Sequence, residues 1–68
     1  MATIARDDFL KWCMFKLGQP FVKDAAFKAK VQGMTHALGA ASIYSLEPEN
    51  RIPFMNWIER ELKLWKKV

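Results

Sequence analysis

Phe27, Val31, Met34 and Leu38 follow one another at intervals of four, three and four, the spacing that sets side chains on one face of an α-helix. Two other stretches carry the same period. Phe9, Leu10, Cys13, Met14 and Leu17 share an arc near the start of the chain, and Phe54, Met55, Ile58, Leu62 and Trp65 form a stripe near its end. This pattern predicts an all-α fold: one compact three-helix domain over residues 1–68, with helices near 4–17, 24–38 and 51–66 and no sheet. The expected core is Phe9, Leu10, Cys13, Leu17, Phe27, Val31, Met34, Leu38, Phe54, Ile58, Leu62 and Trp65.

Local signals place the ends. Thr3 can cap the first helix, and Asp7 and Asp8 sit early, where carboxylates meet the positive end of the helix dipole. Gly18 followed by Pro20 reads as its stop, because glycine accepts a left-handed cap and proline cannot continue a helix. Asp24 caps the second helix and Gly39 ends it; continuation through Ala40-Ala41-Ser42 is the alternative. Gly33 weakens that helix or marks close approach of another backbone. Glu47-Pro48-Glu49-Asn50 reads as a loop, with Asn50 capping the third helix and Pro53 in its first turn. Glu59 and Lys63 are spaced for an ion pair along that helix.

A chain of 68 residues is long enough for one domain and short enough that its stability is marginal. Domains of this size lean on disulfides, a metal or a partner. Cys13 has no second cysteine to pair with, and His36 is the single histidine, so a four-ligand zinc site is not expected. No cofactor is expected either. What remains is unusually good helix packing or a partner. The apolar share of 51% suits a folded domain, yet no apolar run approaches the roughly 18–20 residues of a membrane span. No membrane partner is expected. The opening Met1-Ala2-Thr3-Ile4-Ala5-Arg6-Asp7-Asp8 does not read as a secretory leader, and a free cysteine suits a reducing cytoplasm.

Catalysis has little to work with. Cys13 lies between Phe9 and Leu17 on the apolar arc, where a cysteine behaves as a small hydrophobe rather than a nucleophile. His36 falls on a polar helix face. The pairs Asp7-Asp8, Glu47/Glu49 and Glu59/Glu61 are explained by capping, loop solvation and helix charge pairing, and Gly18, Gly33 and Gly39 are too scattered for a phosphate loop. The chain is not expected to be an enzyme. A net charge of +4 permits nucleic acid, and Arg60, Lys63, Lys66 and Lys67 form the best basic face for it. A helix-turn-helix does not fit, since Lys28 and Lys30 of the second helix point in different directions.

The more informative feature is surplus. The first and third helices are apolar over more than one arc: Trp12, Phe15, Trp57 and Leu64 lie off the main stripes. They either fold back over Phe21, Ile43 or Tyr44 to complete a monomeric core, or they form a protein interface with a partner or a homo-oligomer.

Residues 6–20, with Phe9, Trp12, Cys13, Met14, Leu17, Gly18 and Pro20 at the matching positions, resemble the opening helix of neck, or head-completion, proteins of contractile-tailed bacteriophages. The chain departs from that family after Pro20, where it enters a basic, alanine-rich stretch from Lys23 to Lys30 instead of a strand and an acidic helix. The resemblance implies a bacteriophage assembly or host-interaction protein, in the host cytoplasm or the virion. Such proteins act through surfaces. The expected function is therefore a small non-enzymatic helical protein working by protein–protein contact; the alternative is a nucleic-acid-binding module.

Overall fold

A computed structural model describes residues 3–66. Three α-helices run in order, α1 over Arg6–Lys23, α2 over Ala25–Ala37 and α3 over Pro48–Lys66, with a single 3-10 turn at Ile43–Ser45 between the last two. There is no strand among the described residues. The all-α, three-helix expectation holds, while two helix ends and two caps differ from it, Asn50 being already inside α3 rather than at its cap.

Helix α1 does not stop at Gly18. It continues through Gly18, Gln19 and Pro20 to Lys23. Pro20 has no N–H to give the Lys16 carbonyl, which is a real local cost. Packing outweighs it: Pro20 is buried, and Phe21 packs against the core behind it. Gly18 keeps an ordinary helical φ, since Gly39 is the described residue with a positive one. The true stop is Asp24, whose extended backbone (φ −138°, ψ 99°) turns the chain in one residue. Its carboxylate accepts from the Phe27 N–H at 3.1 Å and so caps α2 as expected. Thr3 does not cap α1; Ala5 holds that position without a side-chain hydrogen bond.

At the other end of α2 the glycine signal is obeyed. Gly39 stands at φ +83°, its N–H bonds the His36 carbonyl at 2.9 Å, and the Ala40 N–H bonds Thr35 at 3.2 Å. These are the two bonds of a Schellman cap, which tucks Ala40 into the core. Gly33 has nothing near the place of a Cβ, so no backbone approaches it closely. Helix α3 begins three residues before the expected start, with Pro48 in its first turn, where the missing N–H is harmless. Arg51 is thus already helical, and its guanidinium donates to the Ile4 carbonyl at 2.9 Å. Pro53 falls further in, beyond the first turn.

The buried cluster takes Phe9, Cys13 and Leu17 from α1, Phe27 and Val31 from α2, Phe54, Ile58 and Leu62 from α3, and Ala40 and Leu46 from the connection. Phe9 and Phe54 meet edge to face at 6.1 Å. Of the other expected core residues, Leu10, Met34, Leu38 and Trp65 are half-buried around this cluster. Met14, placed by the sequence on the core arc, is instead exposed. The extension of α1 explains this, because burying Pro20 rotates the buried arc away from Met14. Thr35 is buried as well, its hydroxyl satisfied by the Val31 carbonyl at 2.9 Å.

Candidate functional site

Placing α1's residues at 100° per position separates two faces. Phe9, Cys13, Leu17 and Pro20 face inward. Asp7, Asp8, Lys11, Met14, Phe15, Gly18, Gln19 and Val22 occupy the opposite arc, and all are exposed. Three of these are large apolar groups: Met14 is 72% exposed, Phe15 83% and Val22 87%. Gly18 lies between them with nothing within 4 Å of where its Cβ would stand. The result is an apolar crown on a rigid helix, with Asp7 and Asp8 at its start and Lys23 at its end.

Two grooves flank the crown. On one side Met14 and Gly18 border an apolar depression with Cys13, Leu17, Phe21, Ile43 and Tyr44. On the other, Phe15, Lys16 and Gln19 face Lys63 and Lys66 of α3 across a floor that includes Pro20, Leu62 and Trp65. Glu59 spans the second groove and pairs with Lys16 at 3.6 Å, rather than with Lys63 along its own helix. A second cross-helix ion pair joins Lys30 to Glu61.

The four expected interface residues are therefore divided. Phe15 is on the crown. Leu64 is 59% exposed but borders a different groove, shared with α2 through Phe27 and Lys30. Trp12 and Trp57 are half-buried against the core, Trp57 stacked on Phe54 at 6.1 Å and Trp12 with the Lys16 ammonium 6.0 Å from its ring. Sequence reasoning missed Val22, which it left in a loop, and Met14, which it placed inside. The periodicity of α1 carried both once the helix is known to run to Lys23.

The basic set is also split. Lys63 and Lys66 line the groove beside Phe15, Arg60 is exposed but lies outside that lining, and Lys67 falls outside the described residues. Cys13 is buried, and loss of solvation pushes its thiol up to about 12, far from a reactive thiolate at neutral pH. His36 is exposed, with Nε2 3.3 Å from the Ala41 carbonyl. Among the described residues no three His, Cys, Asp or Glu side chains gather where they could hold a metal, and no helix is long and apolar enough to cross a membrane. Comparison with family models, curated proteins and solved structures finds no match to this chain.

Proposed function

We propose that this is a non-enzymatic helical protein acting through protein–protein contact, with the outer face of α1 as its contact surface. One observation carries the reading: Met14, Phe15 and Val22 are each more than 70% exposed and project from one face of α1. Isolated exposed apolar residues are ordinary, whereas three large ones on the same face of one helix suit a binding surface. Leaving a phenylalanine in water forgoes about 1.5–3 kcal/mol, which a domain this small can ill spare. The likeness of residues 6–20 to phage neck proteins supports a role in bacteriophage assembly or host interaction, in the host cytoplasm or virion.

Site-specific photocrosslinking tests this. A benzophenone side chain placed at Phe15 or Val22 should yield discrete protein adducts in the native cell, and one placed at Ala29 on the outer face of α2 should not. Equal or absent labelling at the α1 positions would end the proposal. One feature favours nucleic acid as the second reading: an exposed aromatic, Phe15, shares a groove with Lys16, Lys63 and Lys66, the combination that holds single strands.

A further inference from the structure

We infer that the groove between α1 and α3 takes an acidic segment of a partner protein, one large apolar side chain resting on its floor and carboxylates reaching Lys63 and Lys66. The inference rests on the protein-contact reading above and names the chemistry of the partner. The charges come first. Glu59 has Lys63 four residues on along its own helix, yet it pairs with Lys16 across the groove at 3.6 Å. Among the described residues the only other ion pair joins Lys30 to Glu61, so Lys63 and Lys66 have no carboxylate of this chain within ion-pair distance. Both are exposed and line the same groove, three residues apart on one face of α3. Two ammonium groups at neighbouring helical positions repel each other, and a carboxylate set between them turns that repulsion into attraction. The groove already accommodates one such group, since the Glu59 carboxylate is held there by Lys16.

The floor supplies the apolar half of the recognition. Pro20 and Leu62 are buried there beside Trp65. The Trp65 indole N–H is already given to Asp24 at 3.0 Å, so the ring adds apolar surface to the groove rather than a donor. Phe15, 83% exposed, forms the outer wall. The groove measures about 380 Å³, at the small end of the roughly 300–1,000 Å³ of binding clefts, which suits a short segment rather than a folded domain. The same charges favour a peptide over a nucleic-acid strand. A strand carries a phosphate at every nucleotide and would pass one against the Glu59 carboxylate, whereas a peptide places its carboxylates only where the lysines stand.

Selection from a random peptide display library tests this without assuming a sequence. Peptides enriched on the natural chain should carry one large apolar residue among aspartates or glutamates, and selection on Lys63→Gln/Lys66→Gln should lose the acidic enrichment. The most enriched peptide, titrated into isotopically labelled protein, should move the amide signals of Gln19 and Lys63 and the indole signal of Trp65, which line the groove. The double lysine variant should bind it about tenfold more weakly. Glu59→Gln should bind it about two- to fivefold more tightly, because it removes the carboxylate that lines the groove and releases Lys16. Helical circular dichroism should be unchanged in both variants, since none of these side chains is buried. Enrichment of neutral or basic peptides, binding indifferent to the lysines, or shifts confined to residues outside the groove would each overturn the inference. Single-stranded oligothymidylate that binds the groove more tightly than the peptide at the same salt would give the site to nucleic acid instead. If selection yields no acidic peptide while a crosslinker at Phe15 or Val22 still captures a discrete protein, the acidic segment is excluded and the protein-contact reading stands.

Discussion

Gly39 and Gly18 are the same residue type under opposite constraints, and they predict opposite outcomes. At φ +83° a side chain on Gly39 would meet its own backbone, so Gly39→Ala should cost about 1–2 kcal/mol of folding stability. Gly18 is helical, exposed and unobstructed, so Gly18→Ala should gain about 0.5–1 kcal/mol through helix propensity. Urea midpoints check both; a loss at Gly18 or a gain at Gly39 would show that the backbone assignment is wrong. Cys13 offers a third measurement at this scale. Its thiol is buried and its ionisation opposed by lost solvation, so a thiol reagent at neutral pH should label it only as fast as the domain opens. Rapid labelling of the folded protein would contradict the packing of α1 on the core.

Asp24 ends one helix and starts the next, and this double duty gives the elements their pH dependence. The Phe27 N–H, followed by the Trp65 indole N–H at 3.0 Å, holds the Asp24 carboxyl below its ordinary range. The unfolded chain therefore takes up this proton more readily than the folded one. The stabilisation is complete above the unfolded carboxyl's pKa of about 3.9 and is lost as pH falls through the lower folded value. Asp24→Asn keeps one oxygen to accept from the Phe27 N–H, loses the acceptor for the Trp65 indole N–H, and has no proton to take up. The fall in Tm between neutral and acidic solution should be smaller in this variant than in the natural chain. The same hinge shows where sequence is legible. Asp24 and Gly39 act through their own backbone and neighbouring N–H groups, so their residue types announce the boundaries. Gly18 and Pro20 announce one too, but the gain from burying Pro20 and seating Phe21 depends on helices far along the chain, and that gain prevails. The site follows from this. Phe15 is readable as surplus from spacing alone, whereas Met14 and Val22 join it only once α1 is rotated and extended by that distant packing.

The molecule measures 35 × 19 × 17 Å, and one buried cluster holds it together. A chain of 68 residues has about 3–10 kcal/mol of stability in all. Ile58 is fully buried at the centre of α3, and Ile58→Ala should cost about 2–5 kcal/mol, enough to leave much of the protein unfolded by circular dichroism. The net charge of +4 acts at the same scale and favours contact with nucleic acid. Lys63 and Lys66, which would meet phosphates, line the groove beside Phe15. Duplex DNA should accordingly bind no tighter than the non-specific range of roughly 10⁻⁴ to 10⁻⁶ M, with an affinity that falls steeply as salt rises. Replacing Lys63 and Lys66 by alanine should flatten the logarithmic salt slope by about 1.8, at roughly 0.9 per phosphate contact, and Arg60→Ala, outside the groove, by less. Sub-micromolar, sequence-selective binding would reverse the order of the two functional readings.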